Sequence, residues 1–294
     1  MITFKQFLNE TGTAAGRTKP VSAEELIAWA EKNARRYLSG TNFLYRGGSG
    51  IGAPILLGNS VSIKPRRSAN TNNNYTLWLD NNPAFKGYPK RSQAFIGTDD
   101  KHTAAGFGNP SLLIIADNAK VGFVGHQDLW FVEVDPKTHM TIEEWNGNME
   151  FALQKISLGR ANTYEELVTS LKAATLAKLE DAKDNESNES DEQTLEKVIT
   201  SIYKNGCKTM FELWEKLFTP HLFPPMTTGS EASQEAAFGE VWIEGEVAFI
   251  TASGHGVSAE DHEAIMKWSM ENKYPHFFEK LSSDWDDKEF NDEL

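Results

Sequence analysis

Glu240-Val241-Trp242-Ile243-Glu244-Gly245-Glu246-Val247-Ala248-Phe249-Ile250 sets two short apolar runs on either side of one glycine. Val, Ile, Trp and Phe suit a pleated, half-buried surface, and a glycine between two such runs supplies the φ freedom of a tight connection. The stretch therefore predicts a β-hairpin of strands 240–243 and 247–250. Shorter runs upstream have the same character: Phe43-Leu44-Tyr45 leading into Arg46-Gly47-Gly48, then 93–96, 112–116 and 129–134. Helical periodicity lies between and around them. Ser22 and Glu25 form an S-x-x-E capping box ahead of Leu26, Ile27, Ala30, Ala34, Tyr37 and Leu38, which predicts a helix over 22–38. Further helices are predicted at 101–107, 164–179, 195–203 and 210–218, with Pro220, Pro224 and Pro225 ending the last of them. Ser258 with Asp261 caps another through Ile265, Trp268 and Met270. Short strands with separate helical blocks give an α+β fold.

One domain over 21–280 is expected, with a helical insertion at about 136–225. Residues 59–89 are polar, rich in Asn and Pro, and carry Arg66-Arg67, Tyr75, Trp78, Phe85 and Tyr88. They read as a long ordered loop, and a long loop with several aromatics in a compact domain usually serves function. The run 180–196 (EDAKDNESNESDEQTLE) has too little apolar surface to offset the entropy of ordering and reads as a mobile surface excursion. Residues 1–10 (MITFKQFLNE) lack the apolar core of a secretion signal, and 11–20 form a small, polar connector, so 1–20 read as a leader. Residues 281–294 read as an acidic tail, frayed from Asp284 onward.

The 294 residues hold 29 Lys and Arg against 42 Asp and Glu, a net charge of −13. With 39% hydrophobic, 11% aromatic and 24% charged residues, the composition excludes wholesale disorder, collagen and coiled coil. The negative charge repels phosphate backbones and anionic membranes, which disfavours a nucleic-acid-binding scaffold. Cys207 is the single cysteine, so an internal disulfide and a cysteine-based metal cluster are excluded. No apolar run approaches the 18 or so residues of a membrane span. The seven histidines show no H-E-x-x-H or comparable spacing, and no metal is expected. The glycine-rich run 47–52 lacks G-x-x-x-x-G-K-[ST] and is not a phosphate loop.

Arg46 in Phe-Leu-Tyr-Arg-Gly-Gly, the run Ala94-Phe95-Ile96-Gly97-Thr98 and the stretch Glu240-Val241-Trp242-Ile243-Glu244-Gly245 follow one another along the chain. This order resembles the R-S-E arrangement of mono-ADP-ribosyltransferases. The resemblance covers roughly 40–135 and 230–252, and Asn74-Tyr75 with Tyr88-Pro89-Lys90-Arg91-Ser92 extends it to phage-encoded members. It implies a pair of packed, mostly antiparallel sheets cradling NAD+, which is consumed as substrate without a metal. It also implies a monomeric enzyme, independent of membranes, that transfers ADP-ribose to a host protein; a nucleic-acid acceptor stays open.

The chemistry of the residues agrees with that resemblance. Breaking the nicotinamide–ribose bond passes through an oxocarbenium-like state, which a fixed carboxylate stabilises. Glu240, followed by three apolar residues and a Gly turn, fits the family's spacing. Glu244-Gly245-Glu246 is a literal E-x-E, so Glu246 and Glu244 stand as alternatives. The diphosphate calls for a planar bidentate donor on a rigid strand, which assigns Arg46 with Gly47 beside it. The nicotinamide calls for an aromatic face, and Tyr75, Phe85 and Tyr88 are the candidates, with Trp78 in the same stretch.

Thr98 takes the hydroxyl role that orients the glutamate, because Gly97 stands where the family has the first Ser of its Ser-Thr-Ser strand; Ser92 is the substitute. Phe238, two before Glu240, stands where members that modify arginine, asparagine or glutamine have Glu or Gln, so the acceptor type is open. Leu8-Asn9-Glu10 before Thr-Gly resembles the Leu-x-Glu sites cut by the head-maturation protease of T-even-like phages. That likeness implies cleavage after Glu10, storage in the virion interior and action in the host cytoplasm. Two other readings stand beside the transferase: an inactive phage head or interaction protein that keeps the fold, and an NAD+ glycohydrolase with water as acceptor.

Overall fold

The computed structural model describes residues 18–48, 53–60, 73–156, 158, 161–234, 239–251 and 257–291, with side chains as far as Asp284. Leu8-Asn9-Glu10, Arg66-Arg67 and Phe238 lie outside the described residues. The chain divides into two compact units. The first is Met1–Arg67 with Tyr88–Gln127 and Pro224–Leu294; the second is Ser68–Gly87 with Asp128–Phe223. The insertion read at about 136–225 makes up most of the second unit, which also draws on 68–87.

Among the described residues the strands are β1 (Thr18–Pro20), β2 (Tyr45–Gly48), β3 (Ile55–Asn59), β4 (Phe95–Thr98), β5 (Asn109–Ile115) and β6 (Lys120–Phe123). They continue as β7 (Glu133–Asp135), β8 (Met140–Thr141), β9 (Thr227–Thr228), β10 (Glu240–Glu244) and β11 (Glu246–Thr251). All but β7 and β8 form one antiparallel sheet in the first unit, in the order β1-β3-β11-β5-β2-β4-β10-β6-β9. The protein is thus an α+β fold on an antiparallel sheet.

The hairpin expected at 240–250 is instead a crossover, because β10 pairs with β4 and β6 while β11 pairs with β3 and β5. Four strand spacings of about 4.8 Å, roughly 19 Å, separate β10 from β11 in a flat sheet. Gly245 alone separates Glu244 from Glu246, a reach of about 7 Å at most. The sheet must therefore double over, so that the end of β10 meets the start of β11. Phe95 of β4 and Phe249 of β11 stack edge-on across that fold, ring centroids 5.2 Å apart. A two-residue turn would have returned the chain beside itself. The single residue Gly245, at φ 145°, sends it to the other layer, anchored by Gly245 N–H to Ser60 Oγ (2.7 Å) and Ser60 N–H to Gly245 O (2.9 Å).

Apolar residues of both layers, among them Leu113, Ile115 and Val247 on one side and Phe95, Val241 and Ile243 on the other, share one buried core. Helix Ala23–Asn33 adds Leu26 and Ala30, and helix Ala259–Glu271 adds Ile265 and Trp268. The capping box read at Ser22 is present, Glu25 N–H to Ser22 Oγ (3.3 Å) and Ser22 N–H to Glu25 Oε2 (3.1 Å). The helix expected over 22–38 breaks at Ala34, where Asp117 accepts from Arg36 N (3.2 Å) and Tyr37 N (2.9 Å) and caps a separate helix, Arg35–Leu38. Ser258 caps Ala259–Glu271 as read, accepting from Asp261 N at 3.0 Å. The tail read as frayed from Asp284 is part of helix Pro275–Asn291, in which Asp284 is buried.

In the second unit, the stretch read as a loop at 59–89 carries helix Asn74–Asn81 and a 3-10 turn, Pro83–Phe85. Trp78 is fully buried there, 5.3 Å from Trp214 between ring centroids, and Trp214 lies 4.4 Å from Trp145. The acidic run at 180–196 is also helical: it closes Leu176–Asp184 and opens Glu189–Lys204. Asn188 caps the second helix, Glu189, Asp191 and Glu192 sit in its positive first turn, and Lys155 and Lys183 pair with Asp191 and Glu196. The helix expected over 164–179 is split at Thr175, which caps the second piece by accepting from Lys178 N. The strand read at 129–134 is a 3-10 turn, Leu129–Phe131, set by Asp128 and followed by β7.

Candidate functional site

The two layers of the first unit's sheet join through a single residue pair, Tyr45 with Thr98. Beyond it β2 stays with β5 (Arg46 with Ser111, Gly47 with Pro110) and β4 stays with β10 (Gly97 with Val241, Ile96 with Trp242), so β2 and β4 part. The gap forms a cleft. It is lined by Tyr45, Arg46 and Gly47 of β2, Ile96, Gly97 and Thr98 of β4, Glu240 of β10, and Thr103, Ala104, Phe107 and Gln127.

Arg46 bridges the parting. Its Nη1 donates to the Ile96 carbonyl at 2.6 Å, in place of the strand partner that β4 loses where β2 turns away. A guanidinium braced on a strand in this way is a preorganised donor for an anion. Gly47 beside it has a steric cause: a Cβ there would stand 1.8 Å from the Ala104 carbonyl oxygen. That close approach brings helix Lys101–Ala105 against β2. Asp100 caps this helix, accepting from His102 N (3.0 Å), Thr103 N (3.2 Å) and the Thr103 hydroxyl (2.6 Å). The Thr103 bond is the largest cause holding the Asp100 carboxyl below its ordinary value.

Glu240 lies directly opposite Thr98 in the β10–β4 pair, and opposed residues project from the same face. The Thr98 hydroxyl accepts from Asp100 N at 3.2 Å. Glu240 is 1% exposed. Three donors converge on its Oε1: Arg91 Nε (3.2 Å), Arg91 Nη2 (3.0 Å) and Trp242 Nε1 (2.6 Å). The Arg91 guanidinium also lies 5.9 Å from the centre of the Trp242 ring. Glu240 enters its strand through a position that only glycine fits: Gly239 has φ +85°, and a Cβ there would lie 1.7 Å from the His126 carbonyl oxygen. Gly239 N donates to Asp99 Oδ1 and Glu240 N to His126 O, each at 2.9 Å.

Glu244 and Glu246 are spent elsewhere. Glu244, about 13 Å further along β10, accepts from Lys120 Nζ (3.0 Å) and Lys90 N (3.1 Å). Glu246, at the exposed start of β11, accepts from Trp29 Nε1 at 3.1 Å. The cleft thus gathers Arg46, Gly47, Thr98 and Glu240 from the sequence reading. The aromatic candidates fare differently. Tyr75 and Phe85 are core side chains of the second unit, 0% and 3% exposed, with Tyr75 packed on Trp130 and Phe85 on Phe218 and Phe223, so neither ring offers a face to a ligand. Tyr88 is half-buried, its hydroxyl donating to Pro224 O at 3.2 Å. Ser92 is buried, 7% exposed.

Phe107 and Gln127 line the cleft and Arg91 and Trp242 hold its carboxylate, and sequence reasoning gave none of them a role. Phe107 was findable as the aromatic that closes the short helix after the strand bearing Thr98. Arg91 carried no local signal, since its partner is 149 residues away. Chemically, the cleft sets a braced guanidinium, a strand hydroxyl, an aromatic ring and a buried carboxylate around one space.

Among the described residues no group of three or more His, Cys, Asp or Glu could hold a metal ion. Among the same residues no helix is long and apolar enough to cross a membrane. No family model, no curated protein and no solved structure matches the chain.

Proposed function

We propose that the cleft between β2, β4 and β10 binds NAD+ and that the chain transfers its ADP-ribose to a host macromolecule, a protein being the expected acceptor. The observation that supports this reading is that Arg46, Thr98 and Glu240, far apart in sequence, line one cleft, whereas Glu244 and Glu246 are engaged away from it. In this reading Arg46 holds the diphosphate and Glu240 faces the ribose. Phe107, rather than Tyr75 or Phe85, offers its ring to the nicotinamide. The bond from ribose C1′ to the nicotinamide nitrogen breaks, its electron pair leaving with nicotinamide, and Glu240 stabilises the positive charge that develops on the sugar. The acceptor then attacks C1′ and loses a proton. The fold this implies is that of the R-S-E transferases, and the leader's Leu8-Asn9-Glu10 supports delivery inside a phage head.

The burial of the Arg91–Glu240 ion pair favours a second reading, an inactive descendant in which Glu240 serves the fold alone. Incubation of the full chain with labelled NAD+ and a bacterial lysate separates the readings. Label on a macromolecule supports transfer. Free ADP-ribose with no labelled macromolecule means glycohydrolysis, and unchanged NAD+ supports the inactive reading.

A further inference from the structure

We propose that Asp284, on the C-terminal helix, is a positioning residue for the cleft, fixing Tyr45 and helix Lys101–Ala105 relative to each other. As a statement about substrate turnover this rests on the NAD+ reading above.

Asp284 is only 3% exposed, although it sits in a stretch of chain dominated by charge. Its Oδ2 and Oδ1 accept from the Tyr45 hydroxyl at 2.9 and 3.2 Å, and Oδ1 pairs with Lys101 Nζ at 2.9 Å. Tyr45 is the β2 residue that joins the two sheet layers, and it lines the cleft. Lys101 opens the helix whose Thr103 and Ala104 also line the cleft. One carboxylate therefore ties β2 and this helix, two elements that line the cleft, to each other. Lys280, one turn earlier on the same helix, sets its Nζ 5.1 Å from the centre of the Tyr45 ring, so a single helix face grips that ring twice.

The electrostatics argue against a purely stabilising role. Burial pushes the Asp284 carboxyl up, and the opposing pull of Lys101, Tyr45 and Lys280 does not cancel it. A raised value in the folded state means that ionisation at neutral pH is a net cost to folding. The protonated carboxyl would therefore fit the fold at lower cost than the ion. What the charge supplies is a fixed point for a hydroxyl and an ammonium on two elements that line one cleft.

Asp284→Asn keeps the shape and removes the charge. Amide hydrogen exchange of the full chain should quicken at 45–48 and 101–107 and stay unchanged at β10 and β11. KM for NAD+ in nicotinamide release should rise about tenfold or more with kcat nearly unchanged, the pattern of a misplaced binding wall, and Asp284→Glu should recover part of it. Lys101→Met should loosen 101–107 alone, since Tyr45 keeps its carboxylate. Unchanged exchange at both segments, or faster exchange throughout the sheet, would overturn the proposal, as would equal losses in kcat and in active fraction. If the wild-type chain releases no nicotinamide, the NAD+ reading fails, and the exchange pattern by itself still decides whether Asp284 positions the walls.

Discussion

Arg91→Met and Glu240→Gln, made singly and together, test whether the carboxylate of the cleft is held by its ion pair. The two side chains are 1% and 0% exposed and 3.0 Å apart. Charges about 4 Å apart attract by about 4 kcal/mol at an effective dielectric of about 20. Moving both ions out of water costs several kcal/mol each, so the pair is close to neutral against uncharged replacements while either ion alone is strongly unfavourable. Each single variant is therefore expected to cost about 3–5 kcal/mol, and the double variant far less than the sum, a coupling of roughly 3 kcal/mol or more. The amide oxygen introduced at 240 still accepts from Trp242 Nε1, which spares that indole a buried, unmade bond. Hydrogen exchange of 95–98 and 240–251 in increasing urea reads the first unit's stability separately from the second's. Single-variant costs that add to the double within about 0.5 kcal/mol would refute the reasoning, since independent sites add to that precision.

Gly239→Ala should lower the first unit's stability by about 2 kcal/mol or more, because the new Cβ meets the His126 carbonyl oxygen at 1.7 Å in a left-handed backbone; a thermal transition equal to wild type would contradict it. Asp135 in the second unit is fully buried, and burial pushes its carboxyl up, but bonds from Ser201, Thr138, Lys137 N and Asn205 outweigh this and hold it low. Its stabilisation is therefore complete above the unfolded value of about 3.9 and is lost as pH falls through the lower folded value. Asp135→Asn should accordingly flatten the acid transition seen in tryptophan fluorescence; superimposable acid transitions would exclude that role.

Much of the first unit was legible because its signals are local. Ser22 and Glu25 cap a helix through bonds three residues apart, and the runs at 43–48, 94–98 and 240–250 carry strand chemistry in their own side chains. The order of strands was not legible, since nothing within 240–250 says that one glycine must span two layers; that follows only from the partners β10 and β11 take elsewhere. The Asn-rich and acidic stretches were misread for a related reason. Trp78 orders helix Asn74–Asn81 by packing on Trp214, and Asp191 and Glu196 are steadied by Lys155 and Lys183 from other elements. In the cleft, Arg46, Thr98 and Glu240 were found by residue type and order, whereas Arg91 and Asp284 meet partners far away in sequence that only three dimensions supply.

Nicotinamide release from NAD+ by the wild-type chain, Glu240→Gln, Glu244→Gln and Glu246→Gln shows whether the buried carboxylate of the cleft drives the bond cleavage. The double variant Arg91→Met with Glu240→Gln serves as a folded control for loss of the carboxylate. Removing one preorganised electrostatic group costs on the order of a hundredfold in rate or more. That loss is expected in Glu240→Gln and in the double variant, with Glu244→Gln and Glu246→Gln close to wild type. Release undiminished in Glu240→Gln, or abolished in Glu246→Gln alone, would contradict it.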